Sequence, residues 1–147
     1  MPELRQSLTD HVVASQVFAP QAINKSTTVA TAYVDMKDYD CVDFFLSFGA
    51  KDSKVDAKLR ECDVSSGGAP SDIASGAITQ IPAATATLVK VLSLKKETMS
   101  KRYALVSITT DGTGAAANYT DVIAVRYRKT GSEPVTQDAT VTERVKV

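Results

Sequence analysis

The sequence predicts an all-β protein built as an antiparallel β-sandwich or barrel. Three observations support this fold class. Several segments alternate apolar and polar residues and are rich in Val and Thr, as half-buried strands are. Turn signals rich in Gly, Ser, Asp and Lys separate these segments at spacings of about ten to fifteen residues. Helical periodicity is almost absent. Together these features indicate short strands joined by turns.

The first predicted strands lie in the N-terminal half. Residues 26–36 read STTVATAYVDM and are rich in Thr and Val. In residues 42–50 the alternation places one apolar face on Val42, Phe44, Leu46 and Phe48. Phe45 interrupts the polar face of that strand. Residues 55–62 alternate again and end at a cysteine. Each segment therefore has the two-residue period of a strand with one buried side.

The C-terminal half contains the remaining predicted strands. Residues 101–110 (KRYALVSITT) and 121–129 (DVIAVRYRK) are enriched in β-branched and aromatic residues. The best helix candidate is residues 83–94, because Leu88, Val91 and Leu92 are spaced as on one helix face. The Thr and Val content of this stretch favours a strand over residues 88–94 at least equally.

The length of 147 residues suits one domain that buries its own core. We expect residues 1–25 to form an N-terminal arm and first strand, residues 26–130 the β-sandwich, and residues 131–147 a C-terminal arm. Beyond Pro134 the C-terminal arm alternates valines with polar residues, as an added strand would. The predicted interface residues in the two arms are Val12, Val13, Val135, Val141, Val145 and Val147.

The charge balance argues against a nucleic-acid partner. The chain has 17 basic and 17 acidic residues, whereas phosphate binding requires a local excess of Lys and Arg. Residues 1–74 carry 7 basic and 11 acidic side chains, and residues 75–147 carry 10 and 6, so the two halves have opposite sign. These charges would cancel within one fold or pair between subunits. We also expect no membrane segment and no signal peptide.

The few residues suited to catalysis or metal binding do not form a recognised motif. His11 is the single histidine, and Cys41 and Cys62 lack zinc-ligand spacing. We expect two reduced cysteines, with a disulfide as the alternative if the strands that carry them form a hairpin. The sequence contains no nucleophile elbow and no phosphate loop. We therefore predict a protein that is not an enzyme and has no catalytic, cofactor-binding or metal-binding residues.

Two further patterns have unremarkable explanations. Residues 112–117 (GTGAAA) satisfy a relaxed dinucleotide-binding pattern, but a strand follows where the motif requires a helix. We interpret this stretch as a hairpin loop. An acidic group consists of Asp35, Asp38, Asp40 and Asp43, and it lacks the spacing of an EF-hand loop. We interpret it as a solvated turn.

The order of segments resembles a known group of proteins. The stretch V-A-T-A-Y-V-D-M-K-D-Y-D-C-V-D-F-F-L-S-F-G-A (residues 29–50) is followed by V-D-A-K-L-R-E-C-D (55–63), K-R-Y-A-L-V-S-I-T (101–109) and V-I-A-V-R-Y-R-K (122–129). This pattern is similar to that of small head decoration, or cement, proteins encoded near the major capsid gene of tailed bacteriophages. The resemblance covers about residues 26–130.

The resemblance implies a jelly-roll-like β-sandwich that binds the outer surface of the capsid and stabilises the head by joining neighbouring capsomers. The implied partners are the major capsid protein and further copies of the chain, as a homotrimer or alternatively a dimer. The implied location is the virion, after synthesis in the host cytoplasm. The alternative is a virion-attached module that binds host carbohydrate or a receptor, for which exposed aromatics are needed; the candidates are Phe18, Tyr33, Tyr39 and Tyr119.

Overall fold

The structure is a computed structural model that describes residues 12–83, 87–112 and 118–128. These ranges contain nine strands and one short 3₁₀ turn, Lys96–Thr98. The strands are β1 (Val12–Ile23), β2 (Thr28–Ala30), β3 (Val34–Asp35), β4 (Tyr39–Phe48), β5 (Val55–Cys62), β6 (Ser71–Ala77), β7 (Leu88–Lys95), β8 (Tyr103–Thr110) and β9 (Asn118–Arg128).

The strands form two antiparallel sheets. Sheet A has the order β1-β9-β4-β7. Sheet B has the order β2-β8-β5-β6, and β3 also pairs with β8. Neighbouring strands in each sheet are mostly distant in sequence, so the topology is set by long-range pairing.

The topology is that of a long hairpin rolled into a sandwich. Strand β1 pairs with β9, β2 and β3 pair with β8, β4 pairs with β7, and β5 pairs with β6. When β2 and β3 are counted as one interrupted strand, these are the four nested pairs of an eight-stranded jelly roll. Further pairing of β9 with β4 and of β8 with β5 closes the roll. The prediction of an all-β, jelly-roll-like sandwich is confirmed for the described ranges.

The core lies between the sheets because every second side chain of each strand points inward. Sheet A supplies Val42, Phe44, Leu46 and Phe48 of β4 together with Val122 and Ala124 of β9. Sheet B supplies Val55, Ala57 and Leu59 of β5 together with Ala104, Val106 and Ile108 of β8. These apolar side chains are nearly or completely buried, which makes their burial the main stabilising contribution to the fold.

Most of the predicted strands are present. Strand β5 has the predicted boundaries, and residues 88–95 form a strand rather than a helix. Residues 26–36 form two short strands, β2 and β3, instead of one. The arm at residues 131–147 lies outside the described residues, as do residues 1–11.

One predicted hairpin is wrong, and a second that was only considered is absent. Strands β4 and β5, whose pairing was the condition for a disulfide, belong to different sheets and do not pair with each other. Strands β8 and β9 are also in different sheets, so the predicted hairpin that was to join them at residues 112–117 is wrong. The physical reason is the rolling of the sandwich, which places β4 and β5, and likewise β8 and β9, in opposite sheets.

Candidate interaction surface

The outer faces of the two sheets differ in polarity. On sheet B, Asp72 forms ion pairs with Lys58 at 2.6 Å and with Arg60 at 2.9 Å. Beside them, Gln80 Nε2 donates to Asp56 at 2.8 Å. The Lys58 ammonium, which donates a hydrogen bond to Asp72, holds the pKa of that carboxyl below its usual value. These polar groups of the face are therefore paired within the chain.

The outer face of sheet A carries an apolar patch. Its four members are Phe45 (38% exposed), Ile123 (40%), Val91 (48%) and Val89 (60%). In the strand register Phe45 is directly opposite Val91 on one side and Ile123 on the other. Val89 lies two residues before Val91, on the same face of β7. The patch therefore crosses three adjacent strands.

Strand register explains why these side chains face outward. Phe44 and Leu46 point into the core and are fully buried, so Phe45 between them must point away from it. The same alternation on β9 buries Val122 and Ala124 and exposes Ile123. The one sequence signal of this surface was Phe45, because it is an apolar residue on the polar side of an amphipathic strand.

Acidic and aromatic residues lie next to the patch. Asp43 and Asp121 are on the same outward faces of β4 and β9 as Phe45 and Ile123. Burial raises the pKa of Tyr127, and its hydrogen bond to Asp43 raises it further. The patch is therefore an apolar centre with polar neighbours, which is the general anatomy of a protein-binding surface.

A charged cluster lies at the Tyr39 end of sheet A. Arg102 makes a bidentate contact with Asp35, with its Nε 2.9 Å from Oδ1, and this pairing lowers the pKa of Asp35. The Arg126 guanidinium lies 4.5 Å from the centroid of the Tyr39 ring, and its Nη1 donates to the carbonyl oxygen of Asp35 at 3.1 Å. These contacts tie β9 to β3 across the sandwich, a structural role.

The predicted interface residues are only partly within the described ranges. Val12 and Val13 lie at the start of β1 and are 4% and 2% exposed, so little of either side chain is left for a partner. Val135, Val141, Val145 and Val147 lie outside the described residues. The role of all six in an interface stays a prediction.

The cysteines and the acidic group do not form a site. Cys41 and Cys62 are free, and they lie on strands of different sheets, so the hairpin that would have joined them is absent. Burial raises the pKa of the Cys41 thiol, and the nearby Asp43 adds to this effect. Among the described residues there is no group of three or more His, Cys, Asp or Glu side chains placed to hold a metal ion. His11 lies outside these ranges.

The four candidate carbohydrate-stacking aromatics do not all lie on one surface, although Tyr33 lines a cleft with Arg126. Phe18 packs against the core, and Tyr39 lies beneath Arg126. Tyr119 is exposed, but β9 places it at the opposite end of sheet A from Tyr39. In the part of the chain that the structure describes, no helix is long and apolar enough to cross a membrane.

Sequence comparisons give no family. No protein-family model matches the chain, and no curated protein matches it either.

Comparison of structures finds proteins of similar fold. The exported protein XepA of PBSX matches with a TM-score of 0.54 and 11% identity, over 92% of this chain and 42% of that chain. A structure of infectious bursal disease virus, Gx strain, matches with a TM-score of 0.49 and 11% identity, over 84% and 34%. The coat protein of Tobacco streak virus matches with a TM-score of 0.47 and 11% identity, over 94% and 99%. This chain thus spans less than half the length of the first two, and XepA shares its fold.

Proposed function

We propose that this chain is a non-enzymatic structural protein of a bacteriophage particle that binds the outside of the capsid and joins neighbouring capsomers. Its proposed partners are the major capsid protein and further copies of itself, as a homotrimer or alternatively a dimer. Three observations support this proposal: the jelly-roll fold, the contrast between the two outer faces, and the resemblance of residues 26–130 to head decoration proteins.

The apolar patch on sheet A is the observation that carries the proposal. Three of its members, Phe45, Val91 and Ile123, are cross-strand neighbours with between a third and a half of each side chain exposed. Fully burying an exposed side chain of this kind contributes about 1.5–3 kcal/mol, so a partner that covers the exposed third to half of each one gains a corresponding share of that free energy. When several copies are linked to one another, each copy makes the same contact with the shell, and the assembly binds more tightly than a single copy through avidity.

Substitution of a patch residue tests the proposal. We expect Val91→Ser to reduce binding to purified heads about tenfold or more, because it places a hydroxyl group at the centre of a desolvated contact. Co-sedimentation of purified protein with heads from the phage that encodes it measures this binding. An unchanged affinity would contradict the use of this face.

Val64→Ser is the matched control. Val64 is 47% exposed against 48% for Val91, and it follows β5 in sheet B, outside the apolar patch. The same chemical change there should leave binding to heads unaltered. Thermal unfolding of both variants should resemble that of the wild type, which separates a loss of contact from a loss of fold.

A further inference from the structure

Strand β7 is an edge of sheet A that has neither a proline nor a bulge, although it carries Lys90 and Lys95. Its eight residues pair with β4 without a register shift, from Lys95 opposite Cys41 to Leu88 opposite Phe48. It contains no proline. The other edge of sheet A, β1, contains Pro20 and two register shifts, and the edge strand β6 of sheet B also has a shift. Regular, proline-free edges are the ones that accept a further strand.

The two sides of β7 have different chemistry. Val89, Val91, Ser93 and Lys95 face outward, and Leu88, Lys90, Leu92 and Leu94 face the sandwich interior. A cleft of about 490 Å³ opens beside the strand, and its apolar lining includes Leu59, Ile73 and Leu94. A strand added to β7 would therefore need mostly apolar side chains on its inner side, with an acidic one opposite Lys90.

We propose that residues 138–145 of a second copy add to β7 as an antiparallel fifth strand of sheet A. This inference rests on the proposed function, in which copies of the chain lie side by side on a shell. The segment lies outside the described residues, and its sequence, DATVTERV, has Ala139, Val141 and Val145 at alternate positions. Main-chain hydrogen bonds would give this contact affinity, and the alternating side chains would set its register.

One register matches the side chains best. Three antiparallel registers place all of β7 opposite residues of the segment 135–147 and keep the valines on the inner side. One of these, with Val141 opposite Leu92, also places Asp138 opposite Lys95 and Glu143 opposite Lys90. These are the two lysines of β7, and the other two registers give neither acidic residue a lysine. Opposite charges in cross-strand pairs are favourable, so the charge pattern selects this register.

A second copy is a more direct source of this strand than the same chain. Strand β9 ends at Arg128, and the path from there to the free edge of β7 crosses the ends of β4 and β7. The 3₁₀ turn Lys96–Thr98 lies at this end of the sheet, and Lys96 Nζ donates there to the carbonyl oxygen of Lys37. A neighbouring copy approaches β7 from its open side and meets no such crossing.

Disulfide trapping between differently labelled chains tests the inference. One chain carries Ser93→Cys and the other carries Thr140→Cys, residues that the proposed register places opposite each other on the outer face. Both chains also carry Cys41→Ser, because Cys41 is on the same face. After mild oxidation of the mixture, alone and on purified heads, we expect a mixed dimer on a non-reducing gel. Paired side chains in a ladder lie within reach of a disulfide.

The matched control replaces Thr140→Cys with Thr142→Cys, which the register places two residues away from Ser93. We expect it to give several-fold less mixed dimer. Equal amounts of mixed dimer from Thr140→Cys and Thr142→Cys, or no mixed dimer from either variant, would overturn the inference. A disulfide that forms only when both cysteines are on one chain would overturn it as well, by assigning the segment to its own β7. Val91→Ser tests binding to heads separately, so failure of the trapping leaves the proposed function standing.

Discussion

At the residue scale, the buried carboxylate of Glu61 holds in place the segment just before β8. Its Oε2 accepts hydrogen bonds from the backbone N–H groups of Ser100 at 2.9 Å and Lys101 at 3.2 Å, and the Ser100 hydroxyl donates to Oε1. Burial raises the pKa of Glu61, but these hydrogen bonds outweigh it, and the pKa lies below its usual value. The folded chain therefore favours the ionised form.

We expect Glu61→Gln to lower the free energy of unfolding by about 1–2 kcal/mol at pH 7, since hydrogen bonds to a charged acceptor are lost. Because the folded-state pKa is depressed, this contribution is present above the unfolded pKa of about 4.3 and is lost as pH falls through the folded pKa. Urea unfolding at pH 7 and near pH 3 should show the difference between wild type and variant shrinking at acid pH.

Glu97→Gln is the control for this pH dependence. Glu97 has 77% of its side chain exposed and lies 4.0 Å from Lys95, so its replacement should change stability little at either pH. A Glu61→Gln difference that stays constant between the two pH values would argue against the assigned hydrogen-bonded carboxylate.

At the element scale, strand alternation explains what the sequence could and could not predict. Strands β4 and β5 were predictable because their alternation is regular and buries one face. Strand β8 was predictable from its β-branched and aromatic residues, although most of it is buried on both faces. The extent of β1 was not, since Pro20 and two register shifts interrupt its pattern. Strand β6, which reads SDIASGA, was missed because small polar residues resemble a loop. The sheet assignment of each strand depends on long-range pairing that local pattern does not encode.

The neighbouring residues Phe44 and Phe45 test the assignment of the two faces of β4. Phe44 is fully buried and Phe45 is partly exposed. We expect Phe44→Ala to reduce the free energy of unfolding by about 3–5 kcal/mol, through loss of burial and formation of a cavity. Phe45→Ala should cost about 1 kcal/mol or less. Chemical denaturation of the two variants measures both values, and equal costs would contradict the register.

Gly76 tests the packing of β6 against β5. A Cβ at this position would lie 2.9 Å from Leu59 Cβ and 3.0 Å from the carbonyl oxygen of Ile73, both less able to move than a side-chain tip. We expect Gly76→Ala to destabilise the protein by about 1–3 kcal/mol in thermal or urea unfolding. The exposed neighbouring change Ala77→Ser should be nearly neutral. A Gly76→Ala variant as stable as the wild type would contradict this close approach.

At the scale of the whole molecule, the opposite charges of the two sequence halves meet within one fold. Asp35 and Asp63 of the first half contact Arg102 and Lys101 of the second, at 2.5 Å and 3.8 Å. Both sheets contain strands from each half, because the roll pairs early strands with late ones. The sequence left open whether these charges would pair within the chain or between subunits, and these two pairs lie within the chain.

The same topology leaves two distinct outer surfaces. Sheet B presents ion pairs that are complete within the chain, and sheet A presents the apolar patch around Phe45. The fold class and the unusual position of Phe45 could be predicted from the sequence. That Phe45 lies beside Val91 and Ile123 could not, because it depends on the register of three strands. The proposed attachment to a shell therefore uses one particular side of the molecule.

Cryo-electron microscopy of heads with and without the protein tests this attachment most directly. The heads are those of the bacteriophage that the proposed function implies. The proposal predicts added density of jelly-roll shape on the outer surface, over joints between capsomers, with the outer face of sheet A toward the shell. Heads that gain no density, or density that contacts the shell only through sheet B, would contradict it.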